Sequence, residues 1–439
     1  MASEQPNANT PERNAATHVA RVLQDAGHTA YFAGGCVRDE LLGLSPKDYD
    51  VATDATPEQV GTLFRSTAHV GAHFGVVVVR LSKGDRIGLA DPVQIEVATF
   101  RSDGSYTDGR RPDSVRFATE AEDAQRRDFT INALFLDPIA PADGESIHGH
   151  IIDHVGGIRD LRASTVRAVG NPADRLREDH LRALRAVRFA ANLGFVIERG
   201  TSEAVRDQAA MLAGVSTERI GDEIRRMLAH PSRADAVTLM REHGLEAAAV
   251  GKPPENDLTR LGSLPADAGI PTALAAWALD RGDRGVTFRD RLCLSNAHAQ
   301  ACAAIMDLVD RFRYDWDSLG VAQRKRLAAS RAFLPAIEVF AGPDPIKAQT
   351  IAANRDALDA TPSGLTPTPL LTGGDLIAAG YRPGPLFSIA LDRAYDAQLE
   401  DRASDKDRCL AIVRAILDTG PQGPPSCPQD RESNPGGNR

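Results

Sequence analysis

The amino-acid sequence predicts an α+β protein, with an N-terminal mixed β-sheet followed by an all-helical remainder. Two observations carry this. Short runs rich in valine, isoleucine and aromatic residues, separated by Gly, Asp and Pro, recur over the first part of the chain, and after residue 170 the apolar spacing becomes helical almost throughout. With 439 residues the chain has enough length for two to four domains.

The elements follow in order. A helix is expected over residues 11–26, apolar at Ala15, Val19, Val22 and Leu23 and stopped at Gly27. Strands are expected at residues 29–32, 49–52, 75–81 with its four consecutive valines, 93–100 and 114–117. Helices then fall at 174–193, stopped by Gly194, at 217–229, with Ser216 or Thr217 as N-cap and Pro231 beyond, and at 297–313. The polar stretch 251–271 contains Pro and Gly and reads as a connection between domains. Residues 420–439 hold five prolines and almost no apolar side chains, a composition that predicts disorder.

Composition narrows the function classes. Apolar residues make up 42 % and charged residues 25 %, which argues against a membrane, collagen-like or wholly disordered chain. The net charge of −9 gives no bulk attraction to nucleic acid, so any RNA contact must come from a local patch. Only six of the 51 basic residues are lysine. Arginine suits bidentate contact with phosphate and base edges, although codon bias explains an overall excess equally well. Five cysteines show neither C-x-x-C nor zinc spacing, and their odd number suits a reducing compartment, so a cytoplasmic protein is expected. The N-terminal segment lacks the apolar core of a signal, and no apolar run approaches a membrane span.

The first chemical signal is Tyr31-Phe32-Ala33-Gly34-Gly35-Cys36-Val37-Arg38-Asp39, a strand running through two glycines into a helix. Such a turn lets the backbone approach a phosphate at the positive helix end, with Arg38 placed to clamp it; an ordinary tight turn is the bland alternative. It matches neither the dinucleotide fingerprint nor the P-loop. Soon after comes Asp48-Tyr49-Asp50. On a strand, residues i and i+2 face one side, and two adjacent carboxylates repel unless a cation sits between them. Magnesium, content with one or two carboxylates plus substrate phosphates, fits; two solvated aspartates are the alternative. Glu96, in the strand-like run 94–98, offers a third carboxylate to complete a metal site or help deprotonate a hydroxyl, or is an exposed strand glutamate. In Arg126-Arg127-Asp128-Phe129-Thr130-Ile131-Asn132-Ala133-Leu134 the polar residues recur among apolar ones. Arginine there suits a triphosphate, with Asp128 and Asn132 orienting it or a ribose, and a buried structural salt bridge explains the same spacing.

The most specific pattern lies in the helix expected over 174–193. Asp179, Arg182, Arg185 and Arg188 recur every three positions as a polar stripe beside the apolar Leu181, Leu184, Val187 and Ala191. A carboxylate accepts a hydrogen bond from an exocyclic amine while a guanidinium donates to the adjacent ring nitrogen. Asp179 plus Arg182 can therefore copy a Watson–Crick partner for cytosine or adenine and reject uracil and guanine, which present a carbonyl there. Solvated ion pairs on a helix face are the alternative.

In this order and spacing, Gly34-Gly35-x-Val37-Arg38-Asp39, Asp48-x-Asp50, Arg126-Arg127-Asp128-Phe129-Thr130-x-Asn132-Ala133, Glu178-Asp179-x-x-Arg182 and Glu218-Arg219-Ile220-x-x-Glu223 resemble the class II tRNA nucleotidyltransferases (CCA-adding enzymes) and their relatives the bacterial poly(A) polymerases. The resemblance is strong over residues 28–245 and weaker to about residue 415, where Leu371-Thr372-Gly373-Gly374-Asp375-Leu376 and Pro383-Gly384-Pro385 are similar to the family's tail. It implies a nucleotidyltransferase head (11–165), a helical neck that recognises the nucleotide (166–250) and a helical body and tail that bind tRNA (251–419), lying between an N-terminus (1–10) and a C-terminus (420–439) that are expected to be disordered. It also implies that Asp48 and Asp50 bind Mg2+, that Gly35, Arg38 and Arg127 contact the triphosphate, that Asp179 and Arg182 act as a protein template, and that Arg185 and Arg188 support the nucleotide. Residues 102–112 match a loop that helps switch between nucleotides.

The expected reaction is attack by the 3′-terminal hydroxyl of a tRNA on the α-phosphate of CTP or ATP, with no nucleic-acid template. Poly(A) synthesis is the nearest alternative; the segment Val70-Gly71-Ala72-His73-Phe74-Gly75-Val76 lacks the arginine-rich Gly-Arg-Arg-Phe-like run typical of those enzymes. Addition of CC alone or of A alone is a partial form of the same activity. From other classes, a metal-dependent glycosyltransferase acting on nucleotide sugars would also use Asp-x-Asp, but would not need the Asp179/Arg182 pair. An RNA-binding protein without activity would not need both aspartates.

Overall fold

The computed structural model describes residues 10–69, 75–85, 87–103, 115–142, 149–251, 256–283 and 286–418. The expected tails apart from Thr10, most of segment 70–76 and the 102–112 loop beyond Asp103 lie outside the described residues. The chain forms two compact units, Met1–Ala299 and Gln300–Arg439.

The first unit opens with α1 (Pro11–Asp25), which starts where the Thr10 side chain accepts the Arg13 N–H and proline occupies the first turn. Its apolar face, Ala15, Ala16, Val19, Ala20 and Leu23, is fully buried. Then come β1 (Ala30–Ala33), α2 (Gly35–Leu41), β2 (Asp50–Thr53), α3 (Pro57–Leu63), β3 (Thr67–His69), β4 (Val76–Leu81), β5 (Val93–Thr99), β6 (Arg101–Asp103), β7 (Val115–Phe117), α4 (Glu120–Arg126), β8 (Phe135–Asp137) and β9 (His150–Ile152). Seven strands form one sheet in the order β3-β4-β5-β2-β1-β8-β9. The β2–β5 pair is parallel and the other pairings are antiparallel, so the sheet is mixed as expected. The strand expected at 114–117 pairs with β6 in a separate ribbon. On one side of the sheet Phe100 and Phe135 meet edge to face at 5.8 Å, within a cluster that includes Ala33, Ala52, Ala124 and Val169.

The remainder of this unit is largely helical: α5 (Gly157–Arg162), β10 (Thr165–Val166), α6 (Pro172–Glu178), α7 (Leu181–Leu193), β11 (Val196–Ile197), α8 (Arg199–Gln208), α9 (Thr217–Leu228), α10 (Arg233–Glu242), α11 (Leu245–Val250), α12 (Thr259–Ser263), α13 (Ile270–Asp280) and α14 (Val286–Arg291). One expectation needs correction. The helix read over 174–193 is two helices, because Asp179 between them is extended (φ −151°, ψ 105°). Its side chain accepts the Leu181 N–H at 3.1 Å, the local competition by which aspartate interrupts one helix and starts the next. Gly194 ends α7 at φ 66°, a conformation glycine adopts without strain. The stretch 251–271 lies within the first unit, and its described part includes α12 and the start of α13.

The second unit holds most of α15 (Asn296–Tyr314), then α16 (Val321–Ala328), α17 (Phe333–Ala341), α18 (Pro345–Asp359), α19 (Gly373–Ala378), α20 (Pro385–Leu399) and α21 (Lys406–Leu417). Phe312 packs edge to face on Trp316 and Phe333 at 5.6 and 5.1 Å. A further cluster joins Leu376 to Ala390, Ala394 and Val413. Lys325 is fully buried, and its ammonium donates to the Thr361 and Ser363 hydroxyls at 2.5 and 2.6 Å. Among the described residues no helix is long and apolar enough to cross a membrane.

Candidate active site

A cavity of about 1280 Å3 in the first unit gathers side chains from segments far apart in sequence. It begins at the turn between β1 and α2. Gly34 sits at φ 77° and ψ −121°, a region nearly restricted to glycine, and a Cβ there would lie 2.9 Å from Arg127 Nη1. The backbone conformation favours glycine there, and a side chain would have to displace the Arg127 guanidinium. Gly34 and Gly35 both line the cavity. One turn into α2, Arg38 is nearly buried and donates to Asn132 Oδ1 at 2.6 Å and to Asp39 Oδ1 at 2.6 and 2.8 Å.

Asp48 and Asp50 flank Tyr49, which is buried and packs edge-on against Phe32 at 5.2 Å between ring centroids. The Tyr49 hydroxyl donates to Glu40 Oε1 at 2.7 Å, and Arg13 donates to the same oxygen at 2.8 Å. With Tyr49 anchored inward, both aspartates line the cavity, as the i, i+2 spacing predicts. Only Asp50 belongs to the ladder; Asp48 precedes β2. Neither carboxylate is ion-paired among the described residues. Asp50 opens onto the cavity, yet burial by its walls, with Glu96 and Asp48 nearby, raises its pKa to about 6 against the opposing pull of Arg127. That donor chemistry, two hard oxygen ligands with uncompensated charge, fits a divalent cation that also takes phosphate oxygens. Glu96 lies opposite Asp50 in the parallel β2–β5 register but is not among the cavity-lining residues, and among the described residues no group of three acidic, His or Cys side chains stands in metal-binding arrangement. The aspartate pair is thus the donor set that the cavity offers.

The segment after α4 supplies the next wall. Arg127 is held by Asp123, with Nε and Nη2 at 3.1 and 2.9 Å from Oδ2, and donates from Nη1 to the Asn132 carbonyl at 3.1 Å. Asp128 is buried and accepts from Arg185 Nε at 2.8 Å, from Asn132 Nδ2 at 3.1 Å and from the Phe129 N–H at 2.8 Å. Burial alone would raise its pKa. The Arg185 charge and hydrogen bonds, the Asn132 amide and Arg182 outweigh burial and bring it down to about 2. The buried salt bridge and the cavity-lining arginine are therefore one structure, in which the acids fix guanidinium groups at the cavity wall.

The wall opposite comes from α7 and α9. Asp179, Arg182, Arg185 and Arg188 all line the cavity although Asp179 stands outside α7. Asp179 Oδ2 accepts from Arg219 Nη2 at 2.6 Å. Arg182 donates to Glu178 Oε2 and, at 2.8 Å, to the Arg175 carbonyl. Arg188 Nε lies 2.6 Å from Glu223 Oε2, and Arg185 Nη1 lies 3.7 Å from Oε1. Arg38, Arg185 and Arg188 surround the Phe189 ring at 5.1, 5.3 and 4.3 Å from its centroid. Nine lysine or arginine and five aspartate side chains line the cavity, so in a chain of net charge −9 it is locally cationic and suited to a polyanion.

The cavity brings together all of the residues nominated from sequence except Glu96. Sequence reasoning quoted Asp39, Arg219 and Glu223 in the family motifs without giving them a role, and missed Asp123, which fixes Arg127, and Phe189. Glu223 had a usable signal: an acid in α9 flanked by buried Ile220, Ile224 and Met227 needs a cationic partner.

Known proteins are similar to this chain over most of its length. Residues 30–167 match the family described as the poly A polymerase head domain, and residues 194–248 match a probable RNA and SrmB-binding site of polymerase A. The chain is 35 % identical over 396 residues to the CCA-adding enzyme of Lacticaseibacillus paracasei, covering 87 % of this chain and 91 % of that protein. It is 35 % identical over 406 residues to the CCA-adding enzyme of Limosilactobacillus fermentum, covering 90 % and 95 %. The crystal structure of the Bacillus stearothermophilus CCA-adding enzyme in complex with CTP superimposes with a TM-score of 0.76 at 29 % identity, covering 93 % of this chain and 98 % of that one.

Proposed function

The chain belongs to the CCA-adding enzyme family, and from that premise we propose that it is a nucleotidyltransferase that adds CCA to tRNA 3′ ends from CTP and ATP, without a nucleic-acid template. The observation that carries this reading is the convergence on one cavity of the Gly34-Gly35 turn, the Asp48/Asp50 pair and the Asp179–Arg188 stripe.

In this reading Asp48 and Asp50 would hold divalent cations, magnesium, one of which would lower the pKa of the attacking hydroxyl and the other stabilise departing pyrophosphate. The Gly34-Gly35 turn, Arg38 and Arg127 receive the triphosphate. Their preset ion pairs with Asp39 and Asp123 mean that little side-chain ordering remains to be done on binding. Asp128 and Asn132 keep Arg185 and Arg38 aimed at the nucleotide, and Arg188 adds to the cationic wall. Asp179 offers an acceptor and Arg182 donors, the complement of the amine and ring nitrogen shared by cytosine and adenine and of neither uracil nor guanine. The tRNA 3′ hydroxyl gives its proton to water as its oxygen bonds to the α-phosphorus, the bond from that phosphorus to the bridging oxygen breaks, and pyrophosphate leaves with the electron pair. The head (11–165) carries the chemistry, the neck (166–250) reads the base and the helical body and tail (251–419) bind the acceptor end of tRNA in the cytoplasm.

The experiment is incubation with magnesium, one labelled nucleotide at a time, and tRNA transcripts ending before, within and after CC. Full CCA addition gives products that stop after one A. Products stopping after CC, or extending only CC ends, would assign a partial activity, and long A tails would assign poly(A) synthesis. No extension of any transcript would overturn the proposal.

A further inference from the structure

Arg219 is not in the head, and no sequence pattern by itself ties it to the base, yet it makes a direct side-chain contact with Asp179. It lies in the first turns of α9, whose buried face of Ile220, Ile224, Met227 and Leu228 fixes that helix in the core. Four residues on, Glu223 stands one helical turn away and pairs with Arg188 and Arg185. α9 thus presents a cation and an anion in register with an anion and two cations from the α6–α7 region, so its position along the axis is set by charge as well as by packing.

The contact has a specific consequence for Asp179. The residue lies in an extended break between two helices, where no helical ladder constrains it. Two hydrogen bonds hold its carboxylate: the Leu181 N–H on Oδ1 at 3.1 Å and Arg219 Nη2 on Oδ2 at 2.6 Å. A carboxylate has about four lone-pair sites, so two donors fix its plane and leave acceptor positions for a further group. Arg182 is not the partner: its Nη1 donates to Glu178 and the Arg175 carbonyl and its Nη2 to the Arg126 carbonyl, which leaves two of its five N–H groups for a base.

We propose that Arg219 is a positioning residue for base selection, holding the Asp179 carboxylate in the one orientation in which it accepts from the amine of cytosine or adenine. The proposal rests on the base-reading role of Asp179. Without the guanidinium, the carboxylate keeps its charge but turns about its side-chain torsions, and a carbonyl-bearing base no longer meets a fixed acceptor. Discrimination then falls more than catalysis does, which a purely structural role for Arg219 would not produce.

The test uses the full chain, magnesium and a tRNA transcript lacking CCA, and compares kcat/KM for CTP and UTP in wild type, Arg219→Gln, Arg219→Lys, Asp179→Asn and the Asp179→Asn/Arg219→Gln pair. The expected result is a fall of about tenfold or more in the CTP:UTP ratio for both Arg219→Gln and Asp179→Asn. Arg219→Lys, which keeps a donor, should regain part of the ratio, and the paired variant should be no worse than Asp179→Asn alone, because both act on one carboxylate. If Asp179→Asn relaxes selection while Arg219→Gln and Arg219→Lys keep the wild-type ratio, the positioning role is overturned and the base-reading role stands. If neither site moves the ratio, the reading of Asp179 fails and this proposal with it. Should Arg219→Gln fold poorly by thermal melting, Arg219→Met, which keeps the aliphatic stem and carries no donor, takes its place, and an unchanged CTP:UTP ratio in that variant contradicts the proposal.

Discussion

The ion pair between Asp128 and Arg185 joins the segment after α4 to α7, and its strength follows from the structure. Asp128 is buried and accepts from a guanidinium, an amide and a backbone N–H, which together hold its pKa at about 2 against an ordinary 3.8. Because the folded value is depressed, the stabilisation is fully present above the unfolded pKa and is lost as pH falls toward the folded one. A depression of that size corresponds to roughly 2 kcal/mol at pH 7, shrinking to roughly half of that by pH 3. Asp128→Asn keeps the shape and removes the charge, so it should cost about 2–3 kcal/mol at neutral pH, with the deficit narrowing steadily between pH 5 and pH 3. Because the chain forms two units, the measurement needs a local reporter. Trp277 is buried in the first unit and Trp316 in the second, so urea unfolding followed by fluorescence in a Trp316→Phe background reads the first unit alone. A deficit that stays constant from pH 7 to pH 3 would refute the argument, because it would show that lost shape, not lost charge, destabilises the variant.

Asp48→Ala and Asp50→Ala should each abolish nucleotide addition while leaving circular dichroism and melting close to wild type, since both side chains open onto the cavity and neither is ion-paired among the described residues; retained turnover in both variants would remove them from the chemistry. Gly34→Ala should cost about 1–3 kcal/mol of stability for its backbone conformation. Its Cβ would also press on Arg127 from 2.9 Å, so the KM for CTP and ATP should rise by more than kcat falls in steady-state assays.

How much of this was legible in the sequence depends on the residue. The strands at β1, β2, β4 and β5 were readable because each carries β-branched or aromatic runs bounded by turn residues, and each lies in the main sheet. The two- and three-residue strands β3, β6 and β8 to β11 are too short for any periodicity to register. The break at Asp179 was missed because the apolar spacing runs on through residues 174–193, and only the capping propensity of aspartate argues against one helix. The Asp48/Asp50 geometry was readable because residues i and i+2 of an extended segment share a face. Glu96 illustrates the limit of the same logic: strand alternation places it on a face, but register and cavity shape decide what reaches the site. The partners of the arginines were illegible because ion pairs such as Arg188–Glu223, 35 residues apart, are made by helix packing, which spacing along the chain does not encode.

The central claim is that the protein alone, with no nucleic acid present, distinguishes bases. Its most direct test is calorimetric titration of the purified protein with CTP, ATP, UTP and GTP in the presence of magnesium and the absence of RNA. CTP and ATP should bind at least about tenfold more tightly than UTP and GTP, the difference expected from a well-placed acceptor and donor pair, and Arg182→Ala should erase most of that difference. Equal affinity for all four nucleotides in the wild-type protein would contradict the account.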